Sequence, residues 1–184
     1  MHDRLIKLHI GAGKRYLPGY KQVDVLDKPH IDYVADARSL FFAKNGSVSE
    51  IYACHVLEHF GRYDVCDVLR EWHRVLCAYG TLRISVPDFS AIVFEYQQHK
   101  ELDLVLGLLY GGQDHEHNFH YQVFDFKRLE RLLTGVGFTN VMEYDWRDFL
   151  PEGFDDFSRA YLPHMDMENG RLMSLNVRCT KKEA

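Results

Sequence analysis

Three groups of residues have side-chain types and spacings that are typical of ligand-binding, catalytic or metal-binding sites. The first is a turn of Gly11, Ala12 and Gly13 after an apolar run, with Asp24 at the end of the next apolar run. Glycine lets the backbone turn sharply and leaves its amides open to a ligand. In nucleotide-binding sheets, an acid in this position binds the two hydroxyl groups of a ribose. The pattern predicts a ligand that carries a nucleoside.

The same stretch argues against a dinucleotide. The G-x-G-x-x-G fingerprint requires glycine where this chain has Tyr16. The gap from Gly13 to Lys21 is also too short for the full helix whose N-terminus receives a pyrophosphate. An ordinary strand-to-loop turn built on two glycines is the structural alternative for this stretch.

The second group is His55-Val-Leu-Glu58-His59, which follows a predicted strand. Open α/β sheets bind ligands at the carboxyl ends of their strands. If a bound substrate must lose a proton from a hydroxyl group, the candidate bases there are His55, Glu58 and His59, together with Asp88 after the next strand. A surface position at the start of a helix is the alternative for His59.

The third group contains three histidines, His115, His117 and His120, in a polar stretch that begins at Asp114. Imidazoles bind several transition metals, but the zinc signature H-E-x-x-H is absent from the sequence. A polar lid over an acceptor pocket and a solvated loop are the alternatives. We expect residues 88–121 to cover the acceptor side, with His117 and His120 orienting the acceptor and no metal bound.

Strands alternating with connectors must position these groups, which favours a parallel α/β sheet. Apolar and β-branched runs predict strands at residues 5–10, 21–25, 31–35, 50–55, 81–86, 138–144 and 172–179, and apolar spacing predicts helices near residues 65–76, 92–96, 102–109 and 126–133. Trp72 belongs to the apolar stripe of the first helix and is predicted to be core. Gly80 is predicted to end that helix, and Asp125 to cap the last one.

Composition limits the classes of function. The 184 residues, 46% hydrophobic, suit a single domain over residues 1–184. A formal charge of -5 gives no electrostatic footprint for nucleic acid. No apolar run approaches the ~20 residues that span a bilayer. The four cysteines form no C-x-x-C pair and suit a reducing compartment, so a cytoplasmic protein is expected.

The order of these features resembles the class I S-adenosylmethionine-dependent methyltransferases, particularly the small type 11-like group. The matching landmarks cover nearly the whole chain: the turn at residues 10–13, Gly19 before Val23-Asp24-Val25, Asp36, His55-Val-Leu-Glu-His59, residues 76–80 before Leu82-Arg-Ile-Ser-Val-Pro-Asp88, and Leu132-Leu-Thr-Gly-Val-Gly-Phe138. The chain departs from the family at His9, where an acid is common, and in its short first two crossovers.

The resemblance implies a Rossmann-like α/β fold with a seven-stranded, mostly parallel sheet in the order 3-2-1-4-5-7-6. The seventh strand would be antiparallel. Helices would flank the sheet, with truncated early helices and lid insertions.

The resemblance also implies the cofactor S-adenosyl-L-methionine and a set of residues that bind it. Backbone at Gly11, Ala12 and Gly13 would approach its methionine part, Asp24 its ribose, Asp36 and Ala37 its adenine, and His55 would lie close to the sulfonium. A turn acid before Arg38 is the alternative for Asp36.

The sequence therefore predicts methyl transfer to a small-molecule acceptor, such as a sugar or another metabolite hydroxyl. The predicted catalytic residues are His55, Glu58, His59, His117 and His120. A methyltransferase-fold protein that binds a nucleoside without catalysis and a metal-dependent hydrolase are the alternatives. No nucleic-acid or membrane partner is expected, and the oligomeric state is not predicted.

Overall fold

The computed structural model describes residues 5–183, which contain nine strands. The strands are β1 (Ile6–Ile10), β2 (Lys21–Asp24), β3 (Tyr33–Val34), β4 (Val48–Cys54), β5 (Leu76–Pro87), β6 (Phe138–Glu143), β7 (Tyr161–Leu162), β8 (Arg171–Leu172) and β9 (Ser174–Lys181). Seven of them form one sheet in the order β3-β2-β1-β4-β5-β9-β6, and β7 pairs with β8 separately.

The sheet confirms the predicted topology. Strands β1 to β5 pair in parallel, whereas β9 runs antiparallel to both β5 and β6. Counting only the strands of this sheet, β9 is the seventh along the chain, so the order is the expected 3-2-1-4-5-7-6. The carboxyl ends of β1, β2 and β4 consequently lie along one edge, where the predicted ligand-binding residues follow.

Four α-helices and three short 3-10 turns complete the described residues. They are α1 (Val65–Val75), α2 (Phe89–His99), α3 (Leu106–Tyr110) and α4 (Phe126–Val136), with 3-10 turns at Leu57–His59, Trp146–Asp148 and Phe157–Arg159. As predicted, the Asp125 carboxylate caps α4 by accepting the Arg128 amide at 2.6 Å. Gly137, at φ +112°, ends the helix in the left-handed region.

The early crossovers are short, as predicted, and no helix lies between β1 and β4. The buried Gln22 side chain replaces helical hydrogen bonds in the first crossover. Its Nε2 donates to the carbonyls of Leu17 and Tyr20 at 2.9 and 2.8 Å, and its Oε1 lies 2.8 Å from Nδ1 of His9. His9 thus belongs to the packing of this crossover.

The main core joins the sheet to α1 and α4. The buried face of α1 consists of Val65, Val68, Leu69, Trp72 and Val75, which confirms Trp72 as core. The prediction for Gly80 was wrong, because α1 ends at Val75 and β5 already begins at Leu76. Gly80 lies inside β5, where a Cβ atom would come 2.9 Å from the Cys77 carbonyl oxygen. Within residues 5–183, no helix combines the length and the apolar character needed to cross a bilayer.

Candidate functional site

The glycine turn after β1 is fixed by close packing. Gly11 and Gly13 have φ values of +68° and +60°, a region that side chains with a Cβ atom rarely adopt. A Cβ atom on Gly11 would lie 2.3 Å from Cγ2 of Val56. Because Val56 directly follows His55, the turn is in contact with the segment that leaves β4.

Asp24 lies at the tip of β2 and faces this turn. Its Oδ2 accepts the Gly13 amide at 2.7 Å and its Oδ1 accepts the Leu26 amide at 2.8 Å. The residue is 8% exposed. Each carboxylate oxygen has a second lone pair, so Asp24 can accept two hydroxyl groups in addition. These free acceptor positions fit the pair of hydroxyl groups of a ribose.

Asp36 lies at the neighbouring strand tip but is paired with Arg38. The connection to β2 is the hydrogen bond from the Ala35 amide to the Asp24 carbonyl, at 2.9 Å. The Arg38 guanidinium binds both carboxylate oxygens of Asp36 at 2.7 to 3.1 Å. Hydrogen bonding to Arg38 lowers the pKa of the Asp36 carboxyl. Asp36 therefore serves as a turn acid, and its remaining lone pairs and the adjacent Ala37 backbone are the groups available to an adenine.

His55 follows β4 with φ +53°, a strained conformation in which histidine is several-fold enriched. Its Nε2 lies 2.9 Å from Oγ of Ser174. The Ser174 hydroxyl donates to the Phe157 carbonyl at 2.5 Å, so we assign the proton in the contact with His55 to Nε2. Nδ1 of His55 then carries a lone pair. Burial lowers the pKa of this imidazole to about 3.

Glu58 presents a fully buried carboxyl group to His55. Its Oε1 lies 3.2 Å from Nδ1 of His55 and 3.9 Å from Nε2 of His120. Neither carboxyl oxygen has a hydrogen-bond partner of good geometry among residues 5–183. Burial raises the pKa of Glu58 to about 8, since a charged carboxylate without donors is costly in the interior.

His59 and His120 form a polar centre together with His55 and Glu58. Nδ1 of His59 lies 3.0 Å from the Phe119 carbonyl oxygen, and Nδ1 of His120 lies 2.9 Å from that of Leu108. A carbonyl can only accept, so both Nδ1 atoms carry protons and both Nε2 atoms carry lone pairs. The ring centroids are 4.9 Å apart. Burial lowers the pKa of both histidines.

The structure does not bring His115 and His117 into this centre. Both side chains are about half exposed, and Nε2 of His117 lies 3.5 Å from the neighbouring Glu116 carboxylate. Their loop is tied internally, since the Gln113 amide donates to the Asn118 carbonyl at 2.9 Å. Among the three histidines of this stretch, only His120 approaches Glu58.

Residues 88–121 end against the polar centre. The Tyr121 amide donates to the Glu58 carbonyl at 2.8 Å, and this bond places His120 beside the Glu58 side chain. At the start of the segment, Asp88 caps α2 by accepting the Ser90 amide at 2.9 Å. That bond explains Asp88 structurally, and the segment approaches the centre through its carboxyl end.

The sequence did not predict that residues 154–158 pack against the candidate site. The Arg15 guanidinium lies 4.9 Å from the Phe157 ring, and that ring lies 5.3 Å from the His55 ring. The buried Asp156 accepts the Tyr52 hydroxyl at 2.5 Å and anchors this stretch to β4. The available signal was the long stretch at 146–170, which was expected to be functional or covering.

Comparisons with known proteins agree with this fold. The sequence profile of a methyltransferase domain, type 11, matches residues 19–84. A solved S-adenosylmethionine-dependent methyltransferase from Thermotoga maritima is 18% identical with a TM-score of 0.60, and the match covers 96% of this chain and 82% of that one. No curated protein matches the sequence.

Two further solved structures cover almost the full length of both chains. For a methyltransferase from Methanosarcina mazei the identity is 14%, the TM-score 0.59 and the coverage 100% of this chain and 95% of that one. For a putative methyltransferase from Listeria monocytogenes the values are 14%, 0.56, 98% and 92%. At these identities the likeness shows the fold.

The sheet order, the glycine turn and the acid at the tip of β2 are those of the class I methyltransferase fold. Together with the domain profile that matches residues 19–84, this fold makes the chain similar to the type 11 group of S-adenosylmethionine-dependent methyltransferases. The solved structures that share this fold include S-adenosylmethionine-dependent methyltransferases.

Proposed function

We propose that the protein transfers a methyl group to an oxygen atom of a small-molecule acceptor, a sugar hydroxyl or the hydroxyl of another metabolite. The observation that supports this proposal is the centre of His55, Glu58, His59 and His120 beside the glycine turn. Burial keeps these imidazoles uncharged by lowering their pKa values, and their hydrogen bonds leave lone pairs on Nδ1 of His55 and on Nε2 of His59 and His120 that can accept a proton. A hydroxyl needs such a group, because it becomes a strong nucleophile only as it loses its proton.

In this proposal the cofactor is S-adenosyl-L-methionine, which supplies an electrophilic methyl group on its sulfonium. Asp24 holds the ribose hydroxyls, and the backbone of Gly11, Ala12 and Gly13 faces the methionine part. On the adenine side the residues are Asp36 and Ala37. His55 contacts Glu58 and directly precedes Val56, which packs on the turn, so in this proposal its side chain lies between cofactor and acceptor.

Positioning supplies much of the acceleration in such an in-line displacement. Ser174 fixes the ring orientation of His55, while backbone carbonyls fix the rings of His59 and His120. Residues 88–121 cover the acceptor side and exclude water from it. His117 lies outside the centre that carries this proposal.

The class of acceptor can be tested directly. The protein is incubated with S-adenosylmethionine and a panel of sugars, phenols and amines, and S-adenosylhomocysteine is measured by mass spectrometry. We expect turnover with hydroxyl compounds and an O-methyl product by nuclear magnetic resonance. Products methylated only on nitrogen or carbon would refute the proposed acceptor while leaving cofactor binding intact.

Replacing Asp24 with alanine is expected to weaken cofactor binding by roughly 1.5–3 kcal/mol, or about 10- to 150-fold in Kd. The loss follows from the charge-assisted hydrogen bonds that a carboxylate makes to hydroxyl groups. Calorimetric titration measures it. Asp27→Ala, which removes an exposed acid from the same loop, should bind normally. An unchanged Kd in folded Asp24→Ala would remove Asp24 from the site.

Replacing His120 with alanine should lower turnover by roughly tenfold or more and leave the Kd for S-adenosylmethionine near that of the wild type. The reason is that His120 contacts Glu58 and lies on the acceptor side. The matched control is His115→Ala, five positions earlier, whose exposed side chain lies outside the centre. A parallel loss of cofactor affinity would place His120 on the cofactor side, and unchanged turnover would remove it from the mechanism.

A further inference from the structure

Three side chains from two distant parts of the chain converge on one point. One ligand atom each from Glu58, His59 and His120 lies within 4.8 Å of the other two. The Glu58 side chain is 0% exposed, yet neither of its carboxyl oxygens has a hydrogen-bond partner among the described residues. A buried carboxylate is normally paired with a cation or with donors.

The two histidines are oriented as metal ligands are. In metalloproteins, a ligating imidazole usually donates its other N–H to a carboxylate or backbone carbonyl, which fixes the tautomer and the ring. Nδ1 of His59 donates to the Phe119 carbonyl, and Nδ1 of His120 donates to the Leu108 carbonyl. Each ring therefore has an unprotonated Nε2, and that of His120 lies 3.9 Å from the Glu58 carboxylate.

We propose that Glu58, His59 and His120 bind one divalent transition-metal ion, of which Zn²⁺ suits the ligands best. Two imidazoles and one carboxylate form a set that leaves a coordination position open for a further ligand. Bonds of about 2.0–2.2 Å hold ligand atoms roughly 3–4 Å apart, so small side-chain rotations close the site.

This set differs from the one that the sequence suggested. The sequence placed His115, His117 and His120 together and favoured no metal, because their spacing matches no zinc signature. In the structure, the hydrogen bond from the Tyr121 amide to the Glu58 carbonyl brings His120, but neither His115 nor His117, to the segment after β4. Glu58 and His59 are adjacent in sequence, so the site needs one long-range contact.

The competing explanation for the unpartnered carboxyl is a proton. A protonated Glu58 would donate to the lone pair on Nδ1 of His55, at 3.2 Å, and the group would then need no cation. The two explanations differ in what the protein binds, since only the metal site takes up Zn²⁺ stoichiometrically.

The open coordination position also suggests a role for the ion, and this step rests on the proposed function. The acceptor oxygen would be the further ligand, because Zn²⁺ polarises a bound oxygen as a Lewis acid. With the Nε2 lone pairs of His59 and His120 on the ion, the Nδ1 lone pair of His55 would take the acceptor's proton. The metal site itself depends only on the three side chains.

The test uses the full-length protein after dialysis against a chelator. Titration with ZnCl₂ by calorimetry should give one ion per chain, and CoCl₂ should give the visible absorption of a low-coordinate Co²⁺ complex. Glu58→Gln, His59→Ala and His120→Ala should each weaken binding by at least about tenfold. His115→Ala and His99→Ala should bind as the wild type does, because His99 is an exposed histidine paired with Glu95 at 3.3 Å.

Several outcomes would overturn the metal site: no saturable binding of either ion, full binding in all three ligand variants, or an equal loss in the two controls. Circular dichroism without metal checks that each variant is folded. If His120→Ala is not folded, His120→Asn is used in its place. S-adenosylmethionine titrations of chelated and Zn²⁺-loaded protein should give the same Kd. Because neither titration needs an acceptor, failure of the metal site is distinguishable from failure of the proposed methyl transfer.

Discussion

Replacing Trp72 with alanine is expected to lower the free energy of unfolding by about 3–5 kcal/mol. The indole is 0% exposed in the core that joins the sheet to α1 and α4, so its removal leaves a large cavity. Its Nε1 also donates to the Ala37 carbonyl at 2.9 Å, and the substitution leaves that carbonyl unpaired. For a chain of this length the melting temperature should fall by roughly 6–20 °C. Chemical denaturation measures the change.

Trp72→Phe separates the two contributions. It keeps most of the ring volume but removes the bond to Ala37, so we expect a loss of about 1–3 kcal/mol. Because Ala37 follows Asp36, this variant should also weaken S-adenosylmethionine binding slightly. A Trp72→Ala protein that is as stable as the wild type but inactive would show that Trp72 belongs to the substrate site.

The fold was predictable because its signals are local and ordered. Apolar runs predicted the strands of the main sheet, and the spacing of apolar residues gave α1 and α4 to within a few residues. Gly80 shows where this reasoning fails. Glycine after an apolar helix usually ends it, but here β5 begins at Leu76 and the missing Cβ atom allows close approach to the Cys77 carbonyl. Such a tertiary contact has no sequence signal.

The candidate site was predictable only in part. The turn and Asp24 lie close together in the sequence, and the contact between them at Gly13 follows the pattern. The pairing of Glu58 with His120 joins positions about sixty residues apart. It depends on backbone bonds at Tyr121 and on the ring contacts of His120, which no spacing rule encodes.

The contribution of residues 154–158 was missed for a similar reason. Asp156 reads in the sequence as one acid among several in a loop, and only the folded chain shows its carboxylate bonded to the Tyr52 hydroxyl. Arg15 belongs to the short first crossover, for which the sequence predicted only that there is no room for a full helix. Its contact with Phe157 links that crossover to the covering stretch.

Replacing Gly11 with alanine is expected to disrupt both the glycine turn and cofactor binding. The φ of +68° costs a residue with a Cβ atom about 1–2 kcal/mol. The new methyl group would also lie 2.3 Å from Cγ2 of Val56, and such overpacking adds about 1–3 kcal/mol. Relief requires the turn to move, which displaces the Gly13 amide from Asp24. We therefore expect the Kd for S-adenosylmethionine to rise at least about tenfold.

Gly19→Ala is the matched control for the backbone cost. Gly19 has φ +83°, and no atom lies within 4 Å of a Cβ atom built there, so this variant has the strain without the clash. Val56→Ala removes the methyl group that the new side chain of Gly11→Ala would strike, and combining the two substitutions should restore part of the lost stability and affinity. Denaturation and calorimetry on the two single variants and the double variant measure this coupling. Additive losses, or equal losses in Gly11→Ala and Gly19→Ala, would show that contact with Val56 does not hold the turn in place.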